Sequence, residues 1–496
     1  MSTKISFKEK AGYSLGDAGA NFVFQTLMFF QVTYFTEVFG ITLAAAGWIF
    51  LFGRFFDAFT DPLMGIIADR TKTRWGRFRP WLLWSAIPFA IIYWLTFTNP
   101  GLEGSGKLVY AWVMYLALMA IYTVNNVPYC ALNGVITGDG HERTSLSSFR
   151  FFSAMASGLI VSGFTWPLVA KFGDGDDAKG WSVAMGLFAI VAIVFFIITF
   201  FTVKERVEPD PKQQTSVKQD IKDLLANRPW TILFLATLGV FVTLVIRGGT
   251  LPMYTAYYVD HQSLKDFVGA FGMTVAKGGE MSAWQHVLDL VGYIVKEDGS
   301  NVEEVGFGFI NLCSQIVTII GVLLAKPLSM RFGKRLIFTI GLAATAVITF
   351  SLYFVPREAV WAVFFQSILW SAAYGPTIPL LWAMIADTAD YGEWKNNRRA
   401  TAFAFAGVVF ALKFGLGMGG FIQARALGLL GFIEGKESAP ESVAAILKVV
   451  SIVPSIFLAV SVGILFFYPI TKELNAQIGK ELEERRRQRE NTADAS

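Results

Sequence analysis

The stretch Leu51-Phe52-Gly53-Arg54-Phe55-Phe56-Asp57-Ala58-Phe59-Thr60-Asp61-Pro62-Leu63-Met64-Gly65 lies inside a run apolar enough to cross a bilayer, yet it carries two aspartates. Asp57 and Asp61 are four residues apart, so on a helix they share one face. A single carboxylate near the bilayer centre costs on the order of 2.5–3.5 kcal/mol even on lenient insertion scales. Two like charges side by side cost more. A chain that keeps both is expected to use them, with a cation as the neutralising ligand.

The rest of the chain supports a membrane setting. Of its 496 residues 54% are apolar and 16% charged, with 46 phenylalanines and a mean hydropathy of +0.49; soluble domains carry roughly 25% charged residues. Spanning helices must satisfy their own backbone, so hydropathy reads directly as topology. The reading is an all-α membrane protein with twelve spans near 12–37, 42–67, 81–98, 108–133, 150–171, 181–203, 230–259, 306–327, 336–355, 359–384, 401–430 and 443–470. Cys130 and Cys313 both lie in apolar segments and imply no disulfide framework. Lys4, Lys8 and Lys10 run into a full-length span with no small-residue cleavage site, so no cleavable leader is expected.

Basic residues fix the expected orientation. Arg70, Lys72, Arg74, Arg77 and Arg79 follow span two, Arg331, Lys334 and Arg335 follow span eight, Lys395, Arg398 and Arg399 precede span eleven, and Arg485 to Arg487 lie in the tail. The positive-inside rule then places both termini in the cytoplasm of a multi-pass protein of the inner (plasma) membrane. The polar segment 204–229 divides the spans six and six; Pro209 and Pro211 break it, and Ser216 to Ala226 is expected to form a short amphipathic helix. Gly65 to Arg77 and Gly321 to Arg335 repeat a Gly-plus-basic turn after the second span of each half. The domains expected are an N-terminal six-helix bundle (1–203), a cytoplasmic linker (204–229), a C-terminal six-helix bundle (230–475) and a cytoplasmic tail (476–496). This pattern points to the major facilitator architecture, with a substrate site near the midplane between the halves. The oversized outer loop 260–304 carries Trp284, Val287, Leu288, Val291, Ile294 and Val295 at helical spacing, which reads as an outer cap or a surface spacer helix.

Several polar groups inside spans are candidates for chemistry. Two carboxylates on one face give a hard cation such as Na+ oxygen ligands, and Thr60 adds a hydroxyl. A proton is the other candidate, because burial and a like-charged neighbour both raise a carboxylate pKa. Arg54 is a candidate counter-ion that the cation displaces. Asn125 and Asn126 precede Pro128 in span four, where buried amides need partners: a sugar, the cation or a neighbouring helix. Asp17, Asn21 and Gln25 form a polar stripe on span one, with Asp17 a candidate gate. Lys413 is a lone intramembrane cation; Arg150 and Arg247 sit in the cavity or at its rim. Asp387, Asp390 and Glu393 are expected to gate the cytoplasmic side by pairing with basic loops. Tyr122, Tyr129, Tyr374 and Trp382 are candidate sugar-stacking rings. No nucleophile, metal-ligand cluster or phosphate loop accompanies them, so no enzyme is expected, and His141, His261 and His286 are scattered among loops.

These segments together resemble the glycoside–pentoside–hexuronide:cation symporter family of the major facilitator superfamily, the melibiose-permease-like carriers. The resemblance rests on Gly53 to Gly65, on Tyr122 to Tyr129, on Glu142 to Arg150 and on Asp387 to Glu393, and it spans nearly the whole chain except 260–304. It implies that Asp57 and Asp61 bind the coupling cation with Thr60 and Thr123 as supporting oxygens, that Lys413 is the family's span-eleven lysine near the site, and that Arg150 contacts sugar. Asn21 and Asn126 stand where the best-known member has sugar-binding aspartates, and Cys130 replaces its span-four tryptophan, so galactoside specificity does not carry over. An amide still offers a donor and an acceptor to sugar hydroxyls.

The leading expectation is symport of a sugar or glycoside (pentoside, hexoside or hexuronide) with Na+ or H+ by alternating access. The cargo-binding candidates are Asn21, Gln25, Tyr122, Asn126, Arg150, Trp382 and Lys413. A Na+-coupled lysolipid or other amphiphile carrier is the alternative, and a sugar sensor without transport a third reading, disfavoured because no signalling domain is appended. The expected partners are the small-molecule cargo, a monovalent cation and the lipid bilayer, with no nucleic acid, no cofactor beyond the coupling ion, and function as a monomer.

Overall fold

The computed structural model describes residues 5–137, 140–206, 224–275, 280–396 and 401–494. Before the linker come α1 (Phe7–Thr33), prolonged by a π-helical turn Tyr34–Val38, α2 (Leu43–Arg70), α3 (Arg79–Thr96), α4 (Gly104–Ile136), α5 (Gly140–Gly173) and α6 (Asp177–Thr202). After it come α7 (Arg228–Tyr257), two short helices α8 (His261–Gly269) and α9 (Ala283–Leu290), then α10 (Val302–Phe332), α11 (Lys334–Ser351), α12 (Val360–Tyr374), α13 (Thr377–Asn396), α14 (Thr401–Leu429), α15 (Pro440–Leu465) and α16 (Lys472–Asp494). Among the described residues ten spans are long and apolar enough to cross a membrane on that ground alone. The other two are α1, diluted by Lys8, Glu9, Lys10, Asp17, Asn21 and Gln25, and α3, whose 18 residues are diluted by Arg79, Pro80, Ser85 and Pro88. The fold is the expected one: twelve transmembrane helices in two six-helix halves of major facilitator type.

Span ten is not one helix. It breaks at Gly375-Pro376 between α12 and α13, where the proline has no N–H for the helix ladder and a glycine precedes it. Helix α13 then runs past the expected boundary to Asn396 and carries Asp387, Asp390 and Glu393. The amphipathic helix expected over 216–226 lies outside the described residues except at its last three positions, as do the linker prolines Pro209 and Pro211 and the basic residues Arg398 and Arg399.

The repeated turns share a backbone device. Gly76 (φ 112°) and Gly333 (φ 88°) both take positive φ before the third helix of their half. In the first half the Glu205 carboxylate accepts the backbone N–H groups of Arg77, Phe78 and Arg79 at 2.9, 2.8 and 2.9 Å. An anion at a helix N-terminus satisfies orphan donors and meets the positive end of the dipole. The segment after α6 is thereby tied to the start of α3. At the same end of the molecule Glu9 accepts from Arg206 at 2.7 and 2.8 Å. Helix α16 docks on α13 through Trp394 donating to Glu481 (2.6 Å) and Arg485 donating to the Trp394 carbonyl (3.0 Å).

The halves meet chiefly where α1 packs on α7, α2 on α14 and α5 on α10. At the end opposite the termini the contacts are close. The Leu43 N–H donates to Glu434 (2.7 Å), Tyr257 donates to Glu37 (3.3 Å), and Phe307 packs edge-on to Trp166 at 5.1 Å. The loop after α7 adds to this. Tyr293 donates to the Gly163 carbonyl (2.8 Å), while Lys171 and Lys296 reach Asp289 (3.1 Å) and Asp174 (3.5 Å). The helical spacing read across Trp284 to Val295 holds only to Leu290; Gly292 (φ 82°) turns the chain, and Val295 pairs with Thr274 in an isolated bridge. The loop is a clasp of the C-terminal half on α5, with Leu288, Tyr293, Ile294 and Val295 buried and Trp284 and Val287 exposed.

Candidate functional site

Helix α2 places Asp57 and Asp61 on one side, but each carboxylate has its own cation. Arg54, one turn before Asp57, donates to it at 3.0 Å, and Asp57 is 4% exposed. Asp61 is met by Lys413, which arrives from α14 in the other half, 352 residues away. Thr123 of α4 donates to the second Asp61 oxygen at 2.8 Å. The Arg54 stem crosses α14 at Gly417, where a Cβ would lie 2.0 Å from its Cγ, so a glycine there is what lets the two helices close around the charges. Two carboxylates and two cations make a locally neutral cluster, which offsets much of the cost of keeping any one of them in the membrane. One Asp57 oxygen has no hydrogen-bond partner among the described residues. Thr60 points its hydroxyl at the Phe56 carbonyl of its own helix (3.1 Å).

Beside this cluster lies a cavity of about 1220 Å³, counted to its open mouth, walled by α1 and α5 of one half and by α7, α10, α12 and α13 of the other. Gln25, Arg247, Asn311, Gln315, Trp370 and Tyr374 line it. Of the residues picked from the sequence, Gln25, Arg247 and Tyr374 are therefore in the cavity wall. Tyr122 lines a smaller neighbouring pocket with Arg54 and Gln31.

The remaining candidates are distributed otherwise. Asp17 and Arg150 are each other's partners at 3.1 Å, an ion pair between α1 and α5 within one half. Asn21 donates to the Asp17 carbonyl one turn back (2.8 Å). The two consecutive amides of α4 separate: Asn125, fully buried, donates to Ser85 of α3 at 2.8 Å, while Asn126 is half-buried and accepts from the Cys130 thiol at 3.5 Å. Successive helix positions are about 100° apart, so one amide holds helices together while its neighbour faces elsewhere. Tyr129 is fully buried, stacked on Tyr13 at 4.8 Å and donating to the Tyr13 carbonyl, which makes it a packing residue. Trp382 approaches Phe151 across the two halves at 6.0 Å. Asp387 receives Lys334 at 2.7 and 2.8 Å within the C-terminal half, and Asp390 and Glu393 are half-buried further along α13.

The polar residues that α10 contributes to the cavity wall were missed from sequence. A signal existed: Asn311, Ser314, Gln315 and Thr318 recur at i, i+3, i+4 and i+7 in an otherwise apolar span, the spacing of one helix face.

A two-halved bundle with a central cavity, mostly apolar but carrying a few polar side chains, and a charge cluster at the seam between its halves defines a membrane transporter of the major facilitator superfamily. The chain matches the family described as MFS/sugar transport protein over residues 12–287 and 298–472 and belongs to it; the resemblance to the glycoside–pentoside–hexuronide:cation symporters stands. Among curated relatives it is 35% identical to the inner membrane symporter YicJ of Escherichia coli (strain K12), covering 91% of this chain and 89% of the relative. It is 34% identical to the putative glycoside/cation symporter YagG of the same organism (97% and 95%) and 28% identical to the isoprimeverose transporter of Lactiplantibacillus pentosus (99% and 94%). Among solved structures it is similar to the nucleoside transporter NupG (TM-score 0.58, 14% identity, 93% of this chain and 98% of that one) and to a D-xylose-proton symporter (0.55, 15%, 91% and 97%). At these identities the structures speak to the fold.

Proposed function

We propose that the protein is a cation-coupled symporter of a sugar or glycoside, working by alternating access between its two halves. The observation that carries this reading is Asp61, held by Thr123 within its own half and by Lys413 from the other. A Na+ ion or a proton arriving at Asp57 and Asp61 takes over the charge that Arg54 and Lys413 now neutralise. Thr123 and Thr60 add hydroxyl oxygens. Lys413 is then released from Asp61, and the α2–α14 seam changes its resistance to rocking. The cation and the cargo each favour the same arrangement of the halves, so each raises the affinity for the other by roughly 1–3 kcal/mol.

The bodies that rock are residues 1–203 and 230–475, joined by the linker 204–229, with the tail from 476 and both termini on the cytoplasmic side of the inner membrane. The coupling ion is the sole cofactor, and a monomer suffices. The names of the relatives YagG and the isoprimeverose transporter support a glycoside as cargo. Gln25, Arg247, Asn311 and Gln315, set in an otherwise mostly apolar wall, supply the hydrogen-bonding groups a sugar needs. In this reading Asp17 and Arg150 hold α1 and α5 in register behind the cavity, and Asn21, Asn126 and Trp382 contribute to the cargo path.

The test is uptake in proteoliposomes with inward Na+ and pH gradients imposed separately, across neutral and acidic glycosides. Asp57→Asn and Asp61→Asn are expected to abolish uphill accumulation while downhill exchange survives. Uphill accumulation retained by both variants would sink the coupling role.

A further inference from the structure

Two half-buried arginines of the first half each have a carboxylate: Arg54 has Asp57 and Arg150 has Asp17. Arg247 of α7 differs. It is 7% exposed and lines the cavity, and among the described residues it forms no ion pair. Its Nε and Nη2 have no hydrogen-bond partner among the described residues. Its guanidinium lies over the Trp370 ring, 4.2 Å from the centroid. A cation–π contact offsets only part of what burying a guanidinium costs. Trp370 also fixes the plane of the group and leaves its edge free. The cavity wall contains no Asp or Glu among the described residues. Around the same cavity Asn311 Nδ2, Ser314 Oγ and Ser367 Oγ are buried and unpartnered.

The two free nitrogens are the ones that form the side-on fork of a guanidinium, Nε and the neighbouring Nη2. That fork matches the two oxygens of a carboxylate, giving paired charge-assisted hydrogen bonds. We propose that the cargo is an acidic sugar, a uronic acid or its glycoside, whose carboxylate docks on Arg247 while Asn311, Ser314 and Ser367 take hydroxyls of the ring. This rests on the symport reading and narrows it. The anion seats in the C-terminal half, the coupling cation in the N-terminal half, and closure brings opposite charges of the two ligands into one neutral assembly. Trp370 acts as a positioning residue for the Arg247 fork.

The experiment compares matched pairs, methyl glucuronide with methyl glucoside and methyl galacturonide with methyl galactoside, as gradient-driven uptake into proteoliposomes. Wild type is expected to take up at least one uronide about thirty-fold or more faster than its neutral parent at low concentration, the loss anticipated when one partner of a buried charge pair is missing. Arg247→Gln should remove that preference, and Arg247→Lys, which keeps the charge without the fork, should restore part of it. The readout is the ratio of the two sugars in one preparation, so reduced expression or folding of a variant cancels. Neutral glycosides concentrated as well as uronides by wild type, or a ratio unchanged in Arg247→Gln, overturns the acidic cargo and leaves sugar symport standing. Failure of wild type to accumulate any member of the four overturns this inference, while the symport reading falls only if the wider glycoside panel, pentosides included, also shows no gradient-driven uptake.

Discussion

Lys413 of α14 reaches across the seam between the two halves to the carboxylate of Asp61 on α2. The pair is therefore both a charge balance and a mechanical link. Asp61→Asn and Lys413→Gln should each destabilise the protein in detergent, and the double variant should recover part of the loss, with a coupling energy of about 1–3 kcal/mol. Thermal unfolding of the four proteins of the cycle measures it; strict additivity would separate the two side chains energetically.

Thr123 bonds the same carboxylate from α4 within the first half. Thr123→Val keeps the shape and removes a hydrogen bond to a charged group, worth about 1.5–3 kcal/mol. The cation concentration for half-maximal uptake should rise about ten-fold or more, with a smaller change in the cargo KM at saturating cation. An unchanged cation activation curve would dismiss Thr123 as a supporting oxygen.

The end opposite the termini closes where α5 meets α10, and a Cβ on Gly308 would lie 2.5 Å from the Gly163 carbonyl. Gly308→Leu should wedge that contact, costing the closed state about 1–3 kcal/mol by overpacking. Spin labels at Phe172→Cys and Glu297→Cys, with Cys130 and Cys313 replaced by serine, should report a longer distance distribution than in the parent. The same distribution in both would mean that this contact does not set the equilibrium.

Asp260 caps α8 by accepting from the Ser263 backbone and hydroxyl, both at 2.8 Å, and these bonds hold its carboxyl below the ordinary value of 3.8. A depressed folded-state pKa contributes stability above the unfolded value and loses it as pH falls through the folded one. Hydrogen exchange in residues 261–269 should accelerate as the pH is lowered below about 4, and Asp260→Asn should flatten that dependence. Equal acid sensitivity in the variant would assign the effect to another group.

How much of this was legible in the sequence varied with the distance over which each fact is decided. The carboxylate face of α2 and the Arg54–Asp57 pair depend on residues three and four apart, and helix geometry alone places them. The helical run read from Trp284 to Val295 stopped at Leu290, because Gly292 takes a positive φ that spacing does not reveal. Asn125 and Asn126 looked equivalent as neighbours; which one bonds Ser85 was settled by the rotation of α4 against α3. Arg247 was ambiguous in sequence because its meaning lies in what is missing around it, and a missing partner is visible only once every helix is in place.

The sequence by itself determined the membrane setting, the two six-span halves and the shared helix face of Asp57 and Asp61, since hydropathy and helical period are local properties that a bilayer turns into structure. Tertiary structure alone decided that Asp61 answers to Lys413, that Asp17 answers to Arg150, and that Arg247 faces a cavity with no Asp or Glu among the described residues. Those pairings join helices far apart in the chain, and they follow from how the bundles pack and turn their faces to one another.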